Sequence, residues 1–495
     1  MTTPTDWGGE SGDTPAASER DARIEAVGAY APRFRLTAAA AAEAWGEFRA
    51  PGISETAVPG ADEDALTMGY EAATRALEAG DLAGADVDWL AFAASTPPVA
   101  EGDLTSRLAG FLGIASDVPG TTLTGSTRAG TQAIAAAAEA VAAGAGRALV
   151  VAADAPRGDP DDAIDHAAGA GAGAIVVSRE GPARIVDRAA YASAHPGTRF
   201  RGAGEAATEG LGITQYDRRA FLEHVDGAVD GLAVEPDPDA VAIQAPDGKL
   251  PYRAADACGV DADAIRTCAT VHDLGDLGAA SVPVGLARAL ADGHESILAV
   301  GYGDGADALA IETETPTPAA MALDGDADPS YAESLRQRGR LTSGAPEGGG
   351  AYVSVPTWRR SLPQRHRLEA GRCGACDALA FPPSGACSAC GELSGYEPVT
   401  LPGTGTVESV TTISQGGAPP EFAEYQAQAG DYAALIVALD APGETDETVS
   451  IPAMGTGADA DAFAVGDRVE ATIRRLYTQE GLTRYATKMR PASDA

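Results

Sequence analysis

Residues 122–144 read TLTGSTRAGTQAIAAAAEAVAAG. A short β-type run ends in Gly125, Ser126 and Thr127, and an alanine-rich helix then begins. A strand-to-helix turn of this kind is a natural mount for a nucleophile, because the helix N-terminus stabilises developing negative charge. The side chains on offer are hydroxyls, on Ser126 and Thr127. An unassisted hydroxyl is un-ionised near neutral pH and needs an adjacent base. The expected role of both is therefore a helix N-cap, where a hydroxyl satisfies an orphan backbone N–H. Ester chemistry through Thr127 or Ser126 is the competing reading.

Outward from this turn, from about residue 22 to 315, buried β-type runs alternate with helical periodicity. The runs 89–96, 147–154, 173–178, 240–246, 296–303 and 308–314 read as strands, most of them buried on both faces. Helical patterns fill 62–80, 127–144, 216–232 and 281–293 between them. This alternation predicts an α/β protein with a central mixed sheet. Residues 316–350, rich in Asp, Pro and Gly, read as a loop with one short helix ending in the linker-like EGGGA at 347–351. Beyond it lie a cysteine module and then short strands with turn signals, which predict a small OB-type barrel.

The 495 residues carry 72 acidic and 35 basic side chains, a net charge of −37. That balance argues against nucleic acid or an anionic membrane as partner, including single-stranded nucleic acid on the barrel. Only Lys249 and Lys488 are lysines; the other basic residues are arginine. An acidic, lysine-poor, alanine- and glycine-rich chain looks like one from a salt-loving archaeon, although a GC-rich genome gives the same arginine bias. The first 21 residues have no basic start and no apolar core, so they read as a disordered acidic tail rather than a signal peptide. No uncharged apolar run approaches the ~18 residues of a membrane span. The expectation is a soluble, cytoplasmic protein.

Four of the six cysteines form Cys373-x2-Cys376-x10-Cys387-x2-Cys390. Two such knuckles supply four thiolates for a closed, structural Zn²⁺ site with no open coordination position. Disulfides and an iron–sulfur centre are the rivals. Cys258 and Cys268 read as inert buried thiols. The glycines at 169, 171 and 173 precede a strand, not a helix, so they are no dinucleotide fingerprint. Like Gly301, Gly303 and Gly305, they read as close-packed turns.

The segments DEDALTMGYEAATRAL, DAPRGDPDDAIDHAAGAGAGAIVVS, IQAPDGKLPYRAA, GYGDGADAL and YAESLRQRGRL occur in the order seen in archaeal 3-hydroxy-3-methylglutaryl-CoA synthases, members of the thiolase superfamily. The part from about 367 to 492, with CGACDALAFPP, VGDRVEATIRRL and TRYATKMRP, resembles the DUF35 family, a zinc ribbon followed by an OB-fold. The resemblance implies a duplicated, five-layered αβαβα thiolase-like fold over 22–345. A linker and helix over 346–365, a rubredoxin-like zinc ribbon over 366–395 and an OB-fold over 396–495 would follow.

It also implies where the family's chemistry falls. The acyl-accepting cysteine before AGT falls on Thr127, with Ser126 as the alternative hydroxyl. The general-acid/base glutamate falls on Ser95, the histidine before P-x-G-K on Gln244 (or Ile243), and the asparagine of the second-half turn on Asp276. All four positions are substituted. Gln244 does not titrate, and an anion at Asp276 would oppose an oxyanion. His272 is the one imidazole nearby in sequence and reads as a turn or surface residue rather than a base. Lys249 matches a position at the coenzyme A entrance, where a cation would hold a phosphate.

The implied function is an acyl-CoA-binding or scaffolding partner of a thiolase-type complex, homodimeric as the superfamily is. The family's separate OB protein bridges thiolase and synthase, and fusion would fix that bridge at high effective concentration. The alternative is an active, condensing acyl-CoA acyltransferase with rewired chemistry.

Overall fold

A computed structural model describes residues 22–244, 246–342, 352–414, 416–443 and 445–492. The expected acidic tail and the EGGGA linker lie outside them. The first part contains β1 (Arg23–Tyr30), β2 (Phe34–Thr37), β3 (Glu55–Val58), β4 (Trp89–Ala94), β5 (Gly120–Thr124) and β6 (Arg147–Asp154). It continues through β7 (Gly171–Ser178), β8 (Ala183–Tyr191), β9 (Ala240–Ile243), β10 (Ser296–Tyr302), β11 (Ala306–Thr313) and β12 (Ala319–Ala322).

These build one mixed sheet in the order β5-β4-β6-β7-β1-β8-β11-β10-β9, with β12 beside β1 and β2–β3 as a separate hairpin. The sheet is two copies of one pattern. In the first, β4 runs parallel to β6, which turns back antiparallel into β7 and then β1. In the second, β9 runs parallel to β10, which turns back into β11 and then β8. Along the sheet the copies join where Arg23–Ile24 pair with Ala183–Arg184, and the sheet folds into two layers there.

Between the layers lie the helices Ala129–Ala142 and Ser281–Ala291, which touch each other and both halves. Their alanines explain the close approach: a Cβ on Gly130 would stand 2.2 Å from the carbonyl of Ala279. Helix Ala65–Ala79 covers the first layer from outside, and helix Thr214–Asp230 the second. Three buried clusters fill the three gaps, marked by Leu66, Phe92 and Val151 outside the first layer, Ile134, Val284 and Leu286 between the layers, and Phe221, Val241 and Leu298 outside the second. The five-layer expectation is met.

The C-terminal part opens with helices Val355–Arg360 and Leu362–Arg367. Strands β13 (Glu369–Cys373), β14 (Leu379–Ala380) and β15 (Tyr396–Thr400) carry the cysteine module. Strands β16 (Thr404–Ile413), β17 (Tyr432–Asp440), β18 (Thr448–Met454), β19 (Arg468–Gln479) and β20 (Leu482–Pro491) form an antiparallel sheet in the order β18-β17-β16-β19-β20. A parallel bridge from Gly455 to Met489 brings its two edges together, leaving a nearly closed barrel.

The barrel is docked on the first part through buried charge. Lys488, fully buried, places Nζ 2.8 Å from Asp62, which also accepts from Thr456 at 2.9 Å. Arg474 and Arg490 each lie 2.8 Å from Glu71, and Thr472 donates to the same carboxylate at 2.7 Å. Burial would raise Glu71, but Arg474, Arg490 and Arg75 outweigh it and hold the carboxyl well below its ordinary range. Ile473 and Tyr485 of the barrel enter the outer apolar cluster of the first layer.

Candidate functional site

Thr127 and Ser126 stand in the turn between β5 and helix Ala129–Ala142, facing the end of β10. The Thr127 hydroxyl donates to the carbonyl of Tyr302 at 2.5 Å, and the Ser126 hydroxyl to that of Gly303 at 2.9 Å. The N-cap residue of the helix is Arg128, whose own side chain makes no capping bond. The N-cap expectation is thus corrected: both hydroxyls act as donors that hold the turn against the second half. One cap-like contact remains, from Arg128 N–H to Ser126 Oγ at 3.3 Å. The junction is tight enough to require glycine opposite, since a Cβ on Gly303 would lie 2.4 Å from Thr127 Oγ1 and 2.7 Å from Ser126 Oγ.

Ser95, Gln244 and Asp276 are brought together around the turn 276–279. Ser95 donates through its backbone N–H (2.8 Å) and hydroxyl (2.6 Å) to Asp154, the fully buried last residue of β6. Thr96 donates to the other oxygen of that carboxylate, and Ala279 N–H adds a bond of 2.9 Å. Asp276 accepts from Gln244 Nε2 at 3.2 Å, from Gly278 N–H at 2.9 Å and from Arg199 Nη1 at 2.7 Å. Arg201 donates to the carbonyl of Ser95 at 2.6 Å. Thr127 joins none of these bonds. Its tie to them is indirect, through β10, whose Val300 carbonyl accepts from Gln244 N–H at 3.0 Å.

The chemistry open to this arrangement is narrow. The Ser95 hydroxyl is held by a carboxylate that four other donors also hold. Gln244 is an amide, buried, and its Oε1 has no hydrogen-bond partner among the described residues. The anion at Asp276, expected to oppose an oxyanion, is paired with Arg199, whose Nη2 is buried and likewise has no partner among the described residues.

His272 is no free base. Its Nδ1 is 2.6 Å from the carbonyl of Gly52 and its Nε2 is 2.5 Å from the hydroxyl of Tyr252, on which the ring stacks. That pairing makes Nδ1 the protonated nitrogen and Nε2 the acceptor. Lys249 is exposed in the turn 247–250, and among the described residues its ammonium has no hydrogen bond or ion pair. Cys258 and Cys268 are free, buried and pushed up to about 12 by that burial, which makes them unreactive.

Asp154, Arg199 and Arg201 were not singled out from the sequence. A charged residue closing the apolar run RALVVAAD, and paired arginines at alternate positions in TRFRG, were the available signals.

Cys373, Cys376, Cys387 and Cys390 bring their sulfurs within 4.8 Å of one another. The pairs Cys373–Cys390 and Cys376–Cys387 stand at 3.8 and 3.7 Å. Tetrahedral zinc with Zn–S bonds of about 2.3 Å has sulfur–sulfur edges of about 3.8 Å. The four thiolates therefore fit structural zinc and leave no position for substrate.

The layered, duplicated body with its ribbon and barrel defines a thiolase-like protein. Residues 360–394 match the ChsH2 rubredoxin-like zinc ribbon domain. The chain is 31% identical over 293 residues to the hydroxymethylglutaryl-CoA synthase of Pyrobaculum neutrophilum, covering 56% of this chain and 83% of the relative. Against the synthase of Aeropyrum pernix the identity is 30% over 309 residues, with 60% and 84% covered. The chain belongs to the hydroxymethylglutaryl-CoA synthase family.

Among solved structures, MvaS in complex with 3-hydroxy-3-methylglutaryl coenzyme A superposes with a TM-score of 0.56 at 19% identity, over 67% of this chain and 94% of that one. The 3-oxoacyl-[acyl-carrier-protein] synthase III of Aquifex aeolicus gives 0.51 at 21%, over 59% and 99%.

Proposed function

We propose that this protein binds an acyl-CoA without condensing it, and acts as a synthase-derived partner in a thiolase-type complex. The observation that carries the reading is the state of Thr127. The residue to which the family resemblance assigns the nucleophile is a buried hydroxyl donating to a backbone carbonyl, and among the described residues no titratable base is bonded to it. Its companions Ser95, Gln244 and Asp276 are engaged with Asp154 and Arg199 rather than poised for proton transfer. Ligand binding is favoured by the family and by solved relatives holding HMG-CoA or CoA. The zinc ribbon and barrel are retained beside the substituted centre, which favours a role in holding or passing an acyl thioester over a purely structural one. A homodimer and a separate thiolase partner belong to this reading.

The test is coenzyme A binding by the full chain in molar KCl. At a hundredfold excess over Kd, bound ligand raises stability by about 2.7 kcal/mol. A saturable rise in Tm with CoA or acetyl-CoA supports the reading; no shift with either contradicts it.

A further inference from the structure

The barrel does not meet the synthase-like body flush. Between them lies a cavity of about 820 Å³, walled by Tyr30, Glu63 and Met321 of the body and by Tyr425, Tyr432 and Arg474 of the barrel side. None of Thr127, Ser95, Gln244 and Asp276 lines it. Its volume is that of a small-molecule site, and domain seams are a common place for one.

The four arginines of the wall are all matched. Arg33 pairs with Asp326 at 2.7 Å and with Asp459 at 3.2 Å, one carboxylate from each side of the seam. Arg75, Arg474 and Arg490 pair with Glu71 at 2.6, 2.8 and 2.8 Å. Arg474 also lies 3.5 Å from Glu63, and Arg490 2.6 Å from Glu470. Lys488, behind the wall, holds Asp62 at 2.8 Å. Asp324, Asp431 and Asp461 line the same cavity without an ion pair among the described residues. Arg35, the cation on which Asp324 acts, stands 3.9 Å from Glu55. With every one of these partners counted, ten carboxylates stand against six cations.

The wall also carries polar groups that nothing satisfies. Tyr425 and Tyr432 have ring centroids 5.7 Å apart, and among the described residues neither hydroxyl has a hydrogen-bond partner. Tyr432 is only 5% exposed, and a hydroxyl so buried is normally bonded. The rings of Tyr30, Phe34 and Tyr425 already have a cation over them, whereas those of Tyr432 and Phe463 have none among the described residues. Arg474 Nε, buried and also without a partner, asks for an acceptor. Glu63 and Glu71 already balance the charge of that guanidinium, so a water is enough there.

We infer that this cavity binds an aliphatic polycation, a chain of ammonium groups joined by methylenes, at the seam between the body and the barrel. The surplus carboxylates match its charge, the tyrosine hydroxyls accept from its ammonium groups, and the uncovered rings receive its methylenes or a cation face. A single metal ion fits less well. Among the described residues only the four cysteines bring three or more ligand atoms within 4.8 Å of one another, so the carboxylates here are too dispersed to share one ion. The whole chain is acidic; a cavity with orphan hydroxyls is what sets this place apart. The inference does not rest on acyl-CoA binding and survives its failure.

The test is equilibrium dialysis of radiolabelled spermidine against the full chain in KCl at fixed ionic strength. One saturable site per chain is expected. Tyr432→Phe should weaken it about tenfold, the loss of a hydrogen bond to a charged group, with Tm unchanged because that hydroxyl has no protein partner. Asp431→Asn should weaken it about threefold, as for an exposed ion pair. Asp226→Asn, on the helix Thr214–Asp230 and outside the cavity, should leave it unchanged. Binding that does not saturate, or an equal loss in all three variants, would mean diffuse attraction to an acidic surface and overturns the inference. Full displacement by Mg²⁺ at matched ionic strength overturns it as well. If Tyr432→Phe fails to fold, Asp431→Asn and the wild-type dialysis decide.

Discussion

Asp154 shows how far a buried carboxylate can be absorbed into structure. It accepts from Ser95 and Thr96, through backbone and side chain, and from Ala279, all neutral donors. Asp154→Asn would turn one acceptor into a donor facing donors, and should cost about 2–4 kcal/mol in urea unfolding; a loss under 1 kcal/mol would contradict this account. The sequence showed which side chains stand at Thr127, Ser95, Gln244 and Asp276 (two hydroxyls, an amide and a carboxylate), because the resemblance is carried by local motifs. It did not show what they bond to. Arg199 reaches Asp276 across 77 residues, and Thr127 reaches Tyr302 across 175, and no local pattern encodes such pairs. The N-cap reading failed for that reason: Ser126 and Thr127 are local candidates for a cap, but carbonyls from the second half lie within reach and take both protons.

At the scale of elements, runs buried on both faces were legible as strands, and β4, β6, β7, β10 and β11 fall where β-type runs were read. Strands β1 and β8 were not singled out. Their identity comes from long-range partners: β1 is held by β7, β8 and β12, all more than 140 residues on. The zinc ribbon was legible because its spacing is its geometry. Its core is thin, so metal supplies much of its order. Extended treatment with a strong chelator should release one zinc per chain and lower the first unfolding transition, as should Cys376→Ser. A metal analysis finding no zinc in freshly purified protein would contradict the four-thiolate assignment.

Over the whole molecule, the barrel and the synthase-like body form one unit held by buried ion pairs that composition does not reveal. Removing one partner of such a pair leaves an uncompensated charge, so Lys488→Met should destabilise the chain by about 3–5 kcal/mol by stranding Asp62. Limited proteolysis should then release the barrel, and an undiminished Tm would contradict the docking described here. Acid should act on the same seam. His366 lies between Phe111 and the Tyr485 carbonyl, and burial holds it down to about 4 from its ordinary 6.5. Between those values the unfolded chain binds the extra proton, so stability falls as pH drops from 6.5 to 4, by about 1–3 kcal/mol. His366→Gln should flatten that decline. Below about pH 4.5 the loss steepens, because Glu71, held well below its ordinary range in the fold, takes up its proton in the unfolded chain first. The central claim is that this fold has kept its ligand and lost its nucleophile. The most direct measurement is the intact mass of the full chain after incubation with acetyl-CoA in molar KCl, beside Thr127→Ala and Ser126→Ala. The account predicts unmodified protein in all three; a stoichiometric acetyl adduct on the wild type, absent from either variant, would contradict it.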